Sequence, residues 1–237
     1  VTNVDSLGIV TARGGFEIGA SGVGGTITAA GAVEFAGIVT ATSFSGNISG
    51  GTVAGSTGTF TGDVDIADKI IHTGDTNTAI RFPAADTFTV ETAGSERFRV
   101  TSTGGLHLNN AELMERVNIT AGKLSDNQNI NLDNGMAHLF TTTETTTSTP
   151  NIISTAGINT NMATGDVLSV SIITTTAAAA YSERIKIDGL LTGITTSWNG
   201  GSAPSAGGSS GKDFYSYTII KTGDAAFTVL GNLSNFA

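Results

Sequence analysis

The sequence predicts an all-β chain, elongated and built to intertwine with copies of itself. Three observations carry this. The 237 residues include 32 Gly and 38 Thr but only 3 Pro, a mixture that suits pleated strands and tight turns. Charged residues make up 13% of the chain, against about 25% in ordinary soluble domains. That low charge suits a surface covered by partner copies and is not the charge-rich signature of disorder. Finally, short phrases recur. Gly8-Ile9-Val10-Thr11-Ala12 returns as Gly37-Ile38-Val39-Thr40-Ala41, and Phe44-Ser45-Gly46-Asn47-Ile48 is echoed by Phe60-Thr61-Gly62-Asp63-Val64. Units of this size bury little alone and gain a core by stacking on neighbours.

Residues 1–67 form the repeat zone and are expected to be a Gly-rich β-repeat shaft. Short β-runs (Gly8 to Thr11, Thr26 to Thr28, Gly37 to Thr40) alternate with Gly/Ser clusters. Helix is disfavoured because each interior Gly costs about 1 kcal/mol relative to Ala. The few large side chains include Phe16, Phe35, Phe44 and Phe60. In a threefold bundle, one Phe per repeat would meet its two symmetry mates at the axis, so these four are the trimer-core candidates. A loop-rich linker is the alternative, but a linker has no need of spaced apolar residues. The repeat phrase already occupies the first twelve residues, so the pattern is expected to continue upstream of Val1.

Residues 68–108 predict a β-meander module. Thr87-Phe88-Thr89-Val90 alternates with Phe88 and Val90 on one face, and Arg97-Phe98-Arg99-Val100 puts Phe98 and Val100 opposite both Arg residues. Pro83-Ala84-Ala85-Asp86, Ala93-Gly94-Ser95 and Thr103-Gly104-Gly105 are turn signals. Residues 109–140 are taken as a connector, in which Ala111 to Val117 fits a short helix or a strand. Asp133-Asn134-Gly135 carries a hairpin signal.

Residues 141–237 predict a C-terminal β-sandwich or jelly-roll-like head. Leu168, Val170 and Ile172 share one face of a strand. Ile185 and Ile187 alternate with Arg184, Lys186 and Asp188. Tyr215, Tyr217 and Ile219 share another strand, which Lys221-Thr222-Gly223-Asp224 turns into Phe227-Thr228-Val229-Leu230. Turn signals at this spacing read as a sandwich.

Charge and composition exclude several functions. The net charge of −9 divides as −4, −3 and −2 over residues 1–67, 68–140 and 141–237. Without a basic stripe, no nucleic-acid partner is expected. No run of about 18 apolar residues or basic amphipathic stretch predicts membrane insertion. Cys is absent, which removes disulfides and thiolate metal sites. His72, His107 and His138 form no zinc-type pair. No strained nucleophile turn supports a Ser-His-Asp set. Asp63 with Asp65, and Glu112 with Glu115, have the residue types of a glycosidase pair, but a solvated face explains them better. His107 faces opposite Leu106 and Leu108, and lies either at a surface or on a threefold axis. No catalytic residue, metal or cofactor is therefore expected. For binding, Trp198 is the sole Trp and borders the Gly/Ser/Ala loop 199–211, with Tyr215 and Tyr217 on the next strand. Aromatic faces beside small polar groups stack on sugars or anchor proteins. These three are the receptor-binding candidates, with a core plug as the alternative for Trp198.

The stretch Asp68-Lys-Ile-Ile-His-Thr-Gly-Asp-Thr-Asn-Thr-Ala-Ile-Arg-Phe-Pro83, continuing through Phe88 to Ser95-Glu-Arg-Phe-Arg-Val100, resembles a module of tail-fibre-like structural proteins of marine phages, especially cyanophages. Trp198-Asn-Gly-Gly-Ser-Ala-Pro-Ser205 and Tyr215-Ser-Tyr-Thr-Ile-Ile-Lys-Thr-Gly223 resemble a second such module, and the Gly-Ile-Val-Thr-Ala phrases resemble the shaft repeats. The resemblance implies a non-enzymatic virion component, homotrimeric, joined to other virion proteins through its N-terminal end. The implied role is attachment to a host-surface glycan or protein by a multivalent head. The alternatives are a capsid or tail decoration or spacer, a cellular adhesin or filament subunit, and a glycan-cleaving tail spike.

Overall fold

The computed structural model describes residues 59–237 continuously and, ahead of them, the backbone of three short strands. The described residues are mostly strand, as expected of an all-β chain. The chain divides into two compact units, Val1–Val64 and Asp65–Ala237. In the first, β1 (Phe16–Ile18), β2 (Gly25–Ile27) and β3 (Val33–Phe35) pair antiparallel in the order β1-β2-β3. Phe16 thus lies opposite Ile27, and Phe35 opposite Gly25. The expected runs at 8–11 and 37–40, and Phe44, lie outside the described residues.

The second unit begins with an antiparallel meander. Strands β4 (Lys69–His72), β5 (Asp75–Ala84), β6 (Thr87–Thr92), β7 (Ser95–Val100) and β8 (Leu106–Leu108) lie side by side in chain order. The β6–β7 turn has both central residues, Ala93 (φ 51°) and Gly94 (φ 70°), in the left-handed region. Its twist therefore matches that of the flanking strands. Residues 111–116 form neither helix nor strand; the next strand starts at Val117.

The head is built from two sheets. One has six strands in the order β15-β17-β16-β13-β11-β9: β9 (Val117–Thr120), β11 (Ala137–Thr143), β13 (Val167–Thr175), β15 (Ile194–Trp198), β16 (Lys212–Gly223) and β17 (Ala226–Phe236). The other has three, β10 (Asn129–Asn131), β12 (Asn151–Ile153) and β14 (Lys186–Ile187), in the order β10-β12-β14. A single helical turn, α1 (Ile158–Asn161), follows β12. The stretch 109–140 is thus not simply a connector, since 117–140 supplies β9, β10 and most of β11. Asp133-Asn134-Gly135 makes no hairpin either. The 3-10 turn Leu132–Asn134 carries the chain from one sheet to the other, with the Asn131 side chain accepting the Asp133 N–H at 3.0 Å.

Between the sheets lies one apolar cluster. Ile130, Ile152 and Ile187 descend from the small sheet. Phe140, Val170, Ile172, Tyr215, Tyr217, Ile219 and Val229 rise from the large one, and Leu124 and Ile185 close the flanks. The period-2 alternation in β13 and β16 sends every second residue into this core. Pairings β9–β11, β11–β13, β10–β12, β12–β14 and β15–β17 are parallel. The head is therefore a mixed sandwich and lacks the all-antiparallel ladders of a jelly roll.

Charged groups within this core are caged by backbone. Glu144 accepts the N–H groups of Leu124 (2.6 Å) and Ser125 (3.1 Å). Asp213 accepts the Gly208 N–H at 2.9 Å, and Lys221 donates to the carbonyls of Asn159 and Met162 at 2.5 and 2.8 Å. Such bonds offset the large cost of burying a charge.

His138 on β11 is buried as well. Its Nε2–H donates to the Gly135 carbonyl at 3.0 Å, and its Nδ1 accepts from Asn118 at 3.2 Å. Burial pushes its pKa below the ordinary 6.5, against weaker opposing pulls from the Gly135 carbonyl and Glu115. A second ring proton would also face the Asn118 amide hydrogens. The unfolded chain takes that proton near pH 6.5 while the folded one resists it. Stability from this residue is therefore complete above pH 6.5 and is lost as pH falls toward the depressed value, by at most about 1.4 kcal/mol per pH unit. Denaturant titrations of the wild-type chain should show this slope just below pH 6.5, and His138→Gln should flatten it.

Candidate binding surfaces

The meander is a single layer, and its two faces differ completely. Register places Ile70, Ile80, Val90, Phe98 and Leu108 in one row across all five strands. Phe88, Val100 and Leu106 form the adjacent row, and Phe82 joins them by packing on Phe88, ring centroids 6.3 Å apart. Phe88 in turn meets Phe98 edge-on at 6.2 Å. Every side chain in this set is apolar, and none is fully buried; Leu106 is 70% exposed.

The reverse face carries the charges. Arg81 bridges Asp68 (2.8 Å) and Glu91 (3.4 Å), and Arg99 pairs with Glu96, which also accepts from Asn109. The hydrogen bond from Arg81 holds the Asp68 carboxyl below its ordinary value, and that from Arg99 does the same for Glu96. Beneath this layer Thr89 and Ala79 are buried, as they are when long side chains lay their stems over a sheet. His107 pairs across from Arg99 and is exposed in the single chain.

Of the three aromatic candidates, only Trp198 reaches the surface. It ends the edge strand β15 half-buried, partly packed on the core. Three contacts fix its indole. Nε1–H donates to the Glu183 carbonyl at 2.9 Å. Tyr217 meets the ring edge-on, centroids 5.8 Å apart at 70°. Gly231, its partner on β17, leaves the space the ring occupies, since a Cβ there would lie 2.9 Å from Trp198 Cε3. Two shallow depressions meet at Trp198. One, of about 500 Å³, is bounded by Glu183, Arg184, Thr196 and Ala203. The other, of about 340 Å³, is bounded by Asn199, Ser216, Thr218 and Asn232.

Tyr215 and Tyr217 are corrected as contact residues. They are 2% and 1% exposed and stack face to face inside the core, centroids 6.3 Å apart. Alternation placed them together but did not say which face was inward. Burial raises the Tyr215 hydroxyl to about 12 and pushes that of Tyr217 well above its ordinary value. The Tyr215 hydroxyl accepts the Ser182 N–H at 3.1 Å. Tyr217 supports Trp198 from below, and Tyr215 packs behind Tyr217.

Of the trimer-core candidates, Phe60 is 72% exposed in the single chain. Phe16 and Phe35 begin and end the first unit's small sheet; their side chains, like Phe44, lie outside the described residues. The carboxylates of the 63/65 and 112/115 pairs are exposed, and Glu115 accepts the Met136 N–H at 2.9 Å. Among the described residues no three His, Asp or Glu side chains converge as metal ligands.

A depression of about 620 Å³, which the sequence did not indicate, lies beside α1, between Asn151, Ser154, Thr160, Asp188 and Thr192. Asp188 there accepts the N–H groups of Ile158 and Asn159, each at 2.9 Å. Its carboxylate is thereby committed to holding the loop. No protein-family model, curated protein or solved structure matches the chain.

The seat of Trp198 gives a direct prediction. Gly231→Ala should displace the indole, red-shift its emission (it is the only Trp) and cost about 1–3 kcal/mol of head stability. Unchanged emission would mean that the ring does not rest on Gly231.

Proposed function

We propose that this chain is a non-enzymatic structural protein that assembles with its own copies into a trimeric fibre and attaches to a host surface through its head. One observation carries the proposal: the predominantly apolar face of the meander, over which the described residues form no second layer. A single-layer sheet with such a face is not stable in water and requires a second layer. The described part of the chain supplies none. Identical copies supply it most simply, because three equal faces close around a threefold axis and leave the charged faces outward. The shaft repeats support the same reading, as does the resemblance to tail-fibre-like virion proteins of marine phages. On that reading the site of action is the virion.

Trp198 is the contact residue the head offers. A rigid aromatic wall between hydroxyl and amide side chains suits a host glycan or a protein loop. Three heads on one stem would convert weak single contacts into useful avidity. A spacer or decoration protein without receptor binding is the competing reading, favoured by how much of Trp198 is spent on packing.

Sedimentation of the full chain should give about three times the 23.9 kDa chain mass, with an elongated profile. Leu108→Asp, which places a charge on the apolar face, should lower the mass toward that of one chain. Trp198→Ala should leave the mass trimeric and abolish cell binding. A 23.9 kDa wild-type species would overturn the assembly. A trimer whose cell binding ignores Trp198 would favour the spacer.

A further inference from the structure

We propose that the outer face of the head's six-stranded sheet is a second self-association surface, covered by neighbouring copies of this same chain. It rests on the assembly reading above and adds where the heads touch. Register aligns Ile119, Leu139, Ile173 and Phe214 in one row across β9, β11, β13 and β16 on the face away from the core. Ser234 continues the row on β17, and Phe236, opposite Lys212, adjoins it and meets Phe214 edge-on with centroids 6.3 Å apart. Among the residues that these strands turn outward, the only charged one is Lys212, whose Nζ donates to Thr175 Oγ1. Ser and Thr fill most of the remaining positions.

The opposite side of the head is built differently. The small sheet turns Asn129, Asn131, Asn151 and Lys186 outward, with Ile153 the one apolar residue among them, a face suited to water. One sandwich therefore presents a wet face and a nearly charge-free one. Depletion of charge with retention of aromatic and aliphatic residues is the compositional mark of an interface core.

Area identifies the occupant. Five strands about 4.8 Å apart and about five residues deep give the meander face a footprint of roughly 400 Å². A stable interface needs about 800 Å² per partner. The meander alone falls short, above all when each chain must touch two others. Six strands of about eight residues give the head face roughly 700–800 Å², which makes up the deficit. A copy already held by the meander is present at high effective concentration, and a face with Lys212 as its one charged residue imposes little repulsion between identical surfaces.

The absence of Cys makes the test clean. Ile119→Cys on the head face, Leu106→Cys on the meander face and Asn129→Cys on the small sheet are each placed in the full chain and reacted with a maleimide. All three parent residues are exposed in the single chain, so protection must come from a neighbour. The expected result is rapid labelling at 129, with labelling at 119 and 106 slower by on the order of 100-fold until the assembly is dissociated. Rapid labelling at 119 with protection at 106 overturns the head surface and leaves the assembly standing. Rapid labelling at both overturns the assembly itself, and protection at 119 alone confirms the head surface while moving the self-contact away from the meander.

Discussion

One constraint governs the meander: a sheet has two faces, and this segment of chain provides an ionic covering for only one of them. On the charged side, Arg81, Glu91, Glu96 and Arg99 lie over Thr89 and Ala79 in paired arrangements that water tolerates. On the other, nine apolar side chains from Ile70 to Leu108 have no covering layer among the described residues: Ile70, Ile80, Phe82, Leu106 and Leu108 are exposed and the other four half-buried. Fully burying one such side chain contributes about 1.5–3 kcal/mol, comparable over nine residues to the whole stability of a small domain. On the proposed assembly the meander is coupled to whatever covers it, and its folding and its covering become one equilibrium.

The head differs in kind. Its two sheets enclose a continuous core, from Ile130 and Ile152 on one side to Tyr215 and Ile219 on the other, and its buried charges each find backbone partners. It needs no neighbour to be folded. Trp198 sits where this core reaches its edge, held by Tyr217, Gly231 and the Glu183 carbonyl. An aromatic fixed in this way loses little entropy on contact, which favours recognition by a residue of only partial exposure. On the proposed function, packing and binding draw on the same side chain.

Much of the local structure was legible in the sequence, because alternation is a local signal. Phe88/Val90 and Phe98/Val100 fell on one face as the period required, and Val170/Ile172 and Ile185/Ile187 fell in the core. What stayed hidden was long-range. Parallel partners such as β11 and β13 are joined by a long connection and leave no turn signature, so residues 117–140 read as a connector. Alternation also groups residues by face without naming the inner one, and for that reason Tyr215 and Tyr217 passed for surface aromatics. Gly231 as the seat of Trp198 was invisible, because only the pairing of β15 with β17 brings them together. Asp133-Asn134-Gly135 has the residues of a hairpin, yet the capping bond from Asn131 and the sandwich topology send the chain across to the other sheet.

The most direct test of the covered meander face is hydroxyl-radical footprinting of the unmodified full chain. Leu113, 85% exposed on the irregular stretch after β8, is the internal reference for an open side chain. If identical copies close over the sheet, Phe82, Leu106 and Leu108 are oxidised far more slowly than their exposure in a single chain allows, and the protection disappears on dissociation. Oxidation of Leu106 at the rate of Leu113 in the native protein would show the face open to water and would contradict the assembly.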